Sequence, residues 1–139
     1  MKRKMRILLI EDDMPVAMMM VHLLTRAGCE VTTASDAVQG MERVQSGDFD
    51  LITLDVDLPW MNGIEVCRRL KSDGRLAHIP VVFVSARSSE ADVRRGFEAG
   101  AIDYITKPFD SADFVSRFIS HARNGSAPMP DPIPMEAIA

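Results

Sequence analysis

Short apolar or β-branched runs alternate along the chain with longer amphipathic stretches. The short runs, bounded by polar and turn residues, predict strands at 5–10, 30–33, 51–54, 79–84 and 102–106. Apolar residues then recur at helical spacing, which predicts helices over about 15–28, 36–45, 64–72, 90–100 and from 111 onward. Parallel strand pairs need long crossover connections, usually helices. The alternation therefore predicts an α/β fold, with a parallel sheet covered by helices on both faces.

Turn and capping residues mark the predicted helix ends. Pro15 suits the first turn of the first helix, Ser35-Asp36 caps the second, and Asp110 or Ser111 caps the last. The apolar positions expected to face the core include Val16, Met19, Met20, Leu23, Leu24, Ala37, Val38, Met41, Val44, Val93, Phe97, Phe114 and Phe118.

Composition and charge narrow the class of protein. The chain has 139 residues, of which 47% are hydrophobic and 26% charged, and this suits one compact domain. A net charge of -4 argues against direct binding to nucleic acid or to an anionic membrane surface. Cys29 and Cys67 lie far apart and predict neither a zinc site nor a disulfide framework. The apolar run after the basic start is too short for a signal peptide, so we expect a cytoplasmic protein.

The composition changes near the end of the chain. Residues 124–139 are rich in proline and contain no periodic apolar pattern, so they predict a flexible tail or linker. Residues 1–123 then form the folded domain.

Polar side chains stand at the ends of four predicted strands. Glu11 and Asp12 follow the first, Asp55 the third, Ser85 the fourth and Lys107 the fifth. The carboxyl ends of parallel strands converge on one ligand crevice, so these side chains should meet. Three carboxylates repel one another unless a cation joins them, and hard oxygen ligands favour Mg²⁺. The Lys107 ammonium can offset further negative charge, and the Ser85 hydroxyl can donate a hydrogen bond to a phosphoryl oxygen.

Each of these residues also has an ordinary explanation. Acids such as Glu11 and Asp12 are favoured at a helix N-terminus, and Ser85 is typical of a turn. Lys107 alone suggests surface charge, and Tyr104 alone suggests a core position. Their joint occurrence at the strand ends favours a functional site.

Four motifs resemble the response-regulator receiver domain of two-component signalling. They are ILLIEDD at 7–13, DLITLDVDLPWMNG at 50–63, VSAR at 84–87 and GAIDYITKPF at 100–109. The resemblance covers about residues 5–122 and makes 1–123 a receiver domain. It implies a flavodoxin-like (βα)5 fold, doubly wound, with a five-stranded parallel sheet in the order 2-1-3-4-5.

The resemblance also implies a role for each site residue. Asp55 matches the phosphoacceptor, and it holds Mg²⁺ together with Glu11, Asp12 and the backbone carbonyl of Asp57. Lys107 matches the lysine of the family's site, and the peptide bond to the proline after it is usually cis.

A conformational switch and its partners are implied in the same way. The Ser85 position bonds the phosphoryl group, and Tyr104 matches the aromatic switch residue. The surface around residues 88–122 would then respond, and it is a possible homodimer face. The phosphoryl group would come from a histidine kinase or a histidine phosphotransfer protein, with no membrane partner. Trp60 is bulkier than the glycine often found at its position.

Two other interpretations stay open. Asp55-Val56-Asp57 after an apolar strand resembles the nucleophile loop of a haloacid-dehalogenase-type phosphohydrolase, but that family usually carries the motif on its first strand. A receiver-like module that never becomes phosphorylated is the other, although such modules commonly lack an acid or the lysine. On the receiver interpretation the chain contributes catalytic groups without being a conventional enzyme.

Overall fold

The computed structural model describes residues 4–124 of the chain. The predicted tail at 124–139 lies outside these residues except for Asn124, the last residue of the final helix. Strands and helices alternate along the described chain, as the sequence predicts. They are β1 (Arg6–Ile10), α1 (Met14–Arg26), β2 (Glu30–Ala34), α2 (Ala37–Ser46), β3 (Leu51–Leu54), α3 (Gly63–Ser72), β4 (Val81–Ser85), α4 (Glu90–Glu98), β5 (Asp103–Thr106) and α5 (Ser111–Asn124).

The strands of the described residues form one parallel sheet in the order β2-β1-β3-β4-β5. This confirms the predicted doubly wound topology. In the register, Ile7 lies beside Leu51 and Phe83 lies beside Tyr104. The central strands are buried on both sides, which explains why they appear in the sequence as continuous apolar runs.

Each face of the sheet has its own hydrophobic core. Alternate residues of β1 point to opposite faces, so Leu8 joins one core and Ile7 the other. The first core packs against α2 and α3, and the second packs against α1 and α5. In the second, Phe114 and Phe118 are fully buried with ring centroids 4.4 Å apart. Burial of one such side chain stabilises the fold by about 1.5–3 kcal/mol.

Side-chain oxygens cap the helices at their N-termini. The Asp36 carboxylate accepts a hydrogen bond from the Gln39 N–H at 2.8 Å, and the Asp110 carboxylate accepts one from the Asp113 N–H at 2.9 Å. Asp13 caps α1 in the same way. Such caps typically contribute about 1 kcal/mol each.

The structure corrects several predicted boundaries and faces. Strand β4 begins at Val81 rather than 79, and β5 begins at Asp103 rather than 102. Met19, Val38 and Phe97 were expected to face the core but are 43%, 55% and 45% exposed. The reason is that a helix lying on a sheet buries one stripe, and the apolar residues of α1, α2 and α4 extend beyond it.

Both cysteines are buried free thiols, as expected of small hydrophobic residues. Burial raises the pKa of Cys67 to about 11, so this thiol stays protonated near neutral pH. Within residues 4–124, no helix has the length and apolar character needed to span a membrane.

Candidate functional site

An acidic cluster lies at the carboxyl ends of two neighbouring strands. Glu11 follows β1 and Asp55 follows β3, and these strands are paired side by side. One carboxylate oxygen from each of Glu11, Asp12 and Asp55 lies within 4.8 Å of the other two. Glu11 and Asp55 are buried, whereas Asp12 is exposed. The cluster therefore opens to solvent on the side of Asp12.

Lys107 follows β5, on the other side of β4 from β3, and forms ion pairs with two of these carboxylates. Its ammonium donates hydrogen bonds to Glu11 Oε1 at 2.6 Å and to Asp55 Oδ2 at 2.8 Å. Burial alone would lower the pKa of Lys107, but the bonds to Asp55 and Glu11 raise it above its usual value. The peptide bond from Lys107 to Pro108 is cis, as the family resemblance implies. A charged ammonium thus sits directly against the Asp55 carboxylate.

The pKa of the Glu11 carboxyl group is raised. Burial raises its pKa to about 6, although hydrogen bonds from Lys107 and the Asp13 N–H favour the charged form. The lysine therefore offsets only part of the cost of burying negative charge here. A divalent cation bound to the cluster would lower this pKa again, because it would stabilise the carboxylate.

A tight turn after β3 holds Asp55 in place. Its Oδ1 accepts a hydrogen bond from the Asp57 N–H at 3.0 Å, while its Oδ2 faces Lys107. The turn then folds back, so that the Gly63 N–H donates to the Val56 carbonyl at 2.8 Å. A Cβ on Gly63 would collide with the main-chain carbonyl of Asp55. The close approach of these two backbone segments requires glycine at the start of α3.

Ser85 and Asp57 lie beside this group. Ser85 is fully buried at the end of β4, where its carbonyl accepts from the Lys107 N–H at 2.8 Å. Its hydroxyl oxygen accepts from the Arg87 N–H at 3.2 Å. The side chain of Asp57 forms an ion pair with Arg87 and does not belong to the cluster of Glu11, Asp12 and Asp55. The structure therefore brings Glu11, Asp55 and Lys107 into direct contact, and Ser85 is linked to them through the backbone.

Tyr104 occupies an inward position. The side chain is 6% exposed, its ring lies 5.8 Å from that of Phe83, and a Cβ on Gly96 would come within 2.8 Å of it. Its hydroxyl donates a hydrogen bond to the Arg87 carbonyl at 2.6 Å. An outward turn of the ring would have to break this bond.

Two features of this region are absent from the sequence analysis. Arg87 follows Ser85 within the VSAR motif, but its pairing with Asp57 over a separation of 30 residues has no signal in the sequence. Asp103 begins β5, where Arg117 donates to it at 3.0 Å and His121 lies at 2.8 Å. A buried acid at the start of an apolar strand is the signal that could have indicated this cluster.

The fold and the site together define a class of protein. It is a doubly wound α/β domain that carries an acidic pocket and a lysine at the carboxyl ends of its strands. Residues 7–119 match the response regulator receiver domain, and the chain belongs to this family of two-component signalling proteins. The matched family gives no support to the phosphohydrolase alternative.

Individual relatives agree with this assignment. The transcriptional regulatory protein TcrA of Mycobacterium tuberculosis is 36% identical over 132 residues, which cover 95% of this chain and 51% of TcrA. The DNA-binding response regulator MtrA of Mycobacterium leprae is 38% identical over 120 residues, which cover 86% of this chain and 52% of MtrA. The chain thus spans about half the length of these relatives. A putative response regulator from Chloroflexus aurantiacus has a similar structure, with a TM-score of 0.83, 29% identity and coverage of 87% of this chain and 99% of that one.

Proposed function

We propose that the chain accepts a phosphoryl group on Asp55 from a phosphohistidine on a histidine kinase or a histidine phosphotransfer protein. The observation that carries this proposal is the contact of one buried carboxylate with a lysine ammonium inside an acidic cluster. An ordinary ion pair would not require two further acids at the same point. A phosphoryl acceptor requires them, because they can hold the cation that offsets the incoming negative charge.

The donor set suits Mg²⁺. Glu11, Asp12 and Asp55 offer hard carboxylate oxygens, and the exposed side of the cluster leaves room for the waters that this ion retains. The backbone carbonyl of Asp57 is the fourth ligand that the family resemblance implies. Bound there, the ion would supply positive charge beside the transferred phosphoryl oxygens.

The residues of the chain then perform the transfer. A carboxylate oxygen of Asp55 attacks phosphorus in line, so that an O–P bond forms while the N–P bond to the donor imidazole breaks. The Lys107 ammonium, 2.8 Å from Asp55, stabilises charge on the phosphoryl oxygens. The Ser85 hydroxyl donates a hydrogen bond to one of these oxygens. Each transfer occupies Asp55 until hydrolysis of the acyl phosphate releases inorganic phosphate and restores the carboxylate, so we propose a switch rather than a conventional enzyme.

The output of the switch is the surface around residues 88–122. When the Ser85 hydroxyl moves toward the phosphoryl oxygens, it vacates space into which the Tyr104 ring can turn, which favours the inward position of the ring, and α4, β5 and α5 respond. This surface is where we expect a partner or a second copy of the chain to dock. The names of the longer relatives indicate regulation of transcription, so the domain would act on an effector, while its own net charge of -4 disfavours direct contact with nucleic acid.

Intact-mass measurement after incubation with Mg²⁺ and acetyl phosphate tests the proposal. We expect the mass of one phosphoryl group to appear in the wild type and to be absent from Asp55→Asn. Asp57→Asn is the matched control, because it changes a neighbouring acid whose side chain pairs with Arg87 and is not part of the cluster. This variant should keep the label.

Two results would count against the proposal. Absence of a label on the folded wild-type protein would remove Asp55 as the acceptor. Sustained turnover of p-nitrophenyl phosphate that is lost in Asp57→Asn would instead favour the phosphohydrolase alternative. For the metal, Asp12→Ala should abolish the response of Trp60 fluorescence to Mg²⁺, and an unchanged affinity would exclude Asp12 from the site.

A further inference from the structure

Arg87 makes three separate contacts around the site. Its backbone N–H donates to the Ser85 hydroxyl oxygen at 3.2 Å, and its carbonyl accepts from the Tyr104 hydroxyl at 2.6 Å. Its side-chain Nε lies 2.8 Å and 2.9 Å from the two carboxylate oxygens of Asp57. One residue therefore touches both residues of the predicted switch and the turn that follows the phosphoacceptor.

The ion pair between Asp57 and Arg87 joins the loops that follow two neighbouring strands of the sheet. Asp57 belongs to the turn between β3 and α3, and Arg87 belongs to the segment between β4 and α4. Both side chains are about half exposed, at 53% and 50%. Exposed ion pairs are weak and are screened by salt, so this link can open and close readily.

We propose that the Asp57–Arg87 ion pair is a clasp that keeps Tyr104 in its inward position. The clasp fixes the Arg87 segment, and the Arg87 carbonyl in turn holds the Tyr104 hydroxyl. Opening the clasp frees this segment and shifts the side chain of Tyr104 outward. Arg87 is thus a positioning residue for the tyrosine and does not itself touch the acidic cluster.

The clasp is coupled to Asp55 through Asp57. The backbone N–H of Asp57 donates to Asp55 Oδ1, while the side chain of the same residue holds Arg87. Asp57 therefore links Asp55 to Arg87, through its backbone N–H on one side and its carboxylate on the other. The effect of the clasp on Tyr104 does not depend on phosphoryl transfer, so it can be tested without a phosphodonor.

Tyr104 is a convenient probe because it is the only tyrosine in the sequence. Labelling with ¹³C-tyrosine gives a single ring signal, whose shift and solvent exposure report the position of the side chain. Arg87→Ala removes the guanidinium but retains the backbone N–H and carbonyl that bond Ser85 and Tyr104. Because the Arg87 guanidinium also acts on Tyr104 through its charge, the clasp is tested by the agreement between Arg87→Ala and Asp57→Asn, since the second variant keeps the guanidinium.

We expect the outward population of Tyr104 to rise roughly twofold to fivefold in Arg87→Ala, the range that corresponds to loss of one exposed ion pair. Asp57→Asn should give the same shift, and the double variant should add nothing further. Arg87→Lys should restore much of the inward population. Arg69→Ala is the matched control, since Arg69 forms an ion pair with Glu65 of similar exposure on α3.

Salt provides a second test that needs no variant. Raising the concentration of sodium chloride should move the tyrosine signal of the wild type in the same direction as Arg87→Ala. Tyrosine signals that coincide in wild type, Arg87→Ala and Asp57→Asn would overturn the proposal. So would a wild-type signal that does not respond to salt, or an equal shift in Arg69→Ala.

Discussion

Substitution of Gly63 by alanine sets two effects of opposite sign against each other. Gly63 is the first residue of α3, and replacing glycine by alanine within a helix usually stabilises a protein by about 1 kcal/mol. The new methyl group, however, would collide with the Asp55 carbonyl oxygen and lie 2.9 Å from its carbon and 3.1 Å from the Val56 Cα. These are main-chain atoms of a buried turn and cannot move aside as a flexible side chain would.

The steric overlap should outweigh the gain in helix propensity. Overpacking typically costs about 1–3 kcal/mol, and contact with a fixed main chain lies at the upper end of that range. After the gain in helix propensity is subtracted, we expect Gly63→Ala to lower the free energy of unfolding by about 2 kcal/mol. Because the collision displaces the backbone that carries Asp55, labelling by acetyl phosphate should also slow.

Urea unfolding followed by circular dichroism measures this change. With an m-value of about 2 kcal/mol/M, the expected loss lowers the midpoint by about 1 M. Gly74→Ala is the control, because a Cβ at Gly74 would meet nothing within 4 Å. This variant should be neutral or slightly stabilised and should label normally. A midpoint for Gly63→Ala at or above that of the wild type would refute the steric argument.

Three other substitutions test further contacts. Lys107→Met leaves two buried carboxylates without their shared ammonium, so unfolding in urea at pH 7.5 should show a loss of about 3–5 kcal/mol. Gly96→Ala places a methyl group 2.8 Å from the Tyr104 ring, which should shift the ¹³C-tyrosine signal towards its exposed value. Asp103→Asn should lower the free energy of unfolding by about 1–3 kcal/mol near pH 7, because it removes the charged acceptor of a buried cluster.

The dependence on pH provides a check for two of these variants. The pKa of Glu11 is about 6, above its usual 4.5, so stability is lost as pH rises from 4.5 to 6. Lys107 lowers this pKa, so its removal raises the pKa further and extends the loss of stability to higher pH. The deficit of Lys107→Met should therefore be smaller at pH 5 than at pH 7.5, and a larger deficit at pH 5 would contradict this account. For Gly96→Ala, an unchanged tyrosine signal would show that the Tyr104 ring can accommodate the added methyl group without moving.

The pKa of Asp103 is shifted in the opposite direction to that of Glu11. Burial alone would raise its pKa, but the hydrogen bonds from His121 and the Tyr104 N–H and the charge of Arg117 hold it below 3.8. A lowered pKa stabilises the fold above the usual carboxyl range, and this contribution is lost as pH falls through the folded value. The deficit of Asp103→Asn should shrink accordingly in acid. A deficit that stays constant from pH 7 to pH 3 would exclude the charge as its cause.

The order of the strands and helices, and the polar residues at the strand ends, were predictable from the sequence. Strand and helix periodicities are local properties, and they predicted the order of the elements and several caps, such as those at Asp36 and Asp110. In a parallel sheet the carboxyl ends of the strands lie at one edge. Knowing the strand ends was therefore enough to predict that Glu11 and Asp55 lie close together.

The individual contacts between side chains depend on how whole elements pack against one another. The strand ends predicted that Lys107 and Asp55 would meet. Arg87, however, reaches Asp57 across 30 residues of sequence, and this pairing has no periodic or local signal. The exposure of Met19 likewise depends on how far α1 extends over the sheet. These properties come from the relative placement of whole elements, which is set by the packing of two cores on opposite faces of the sheet.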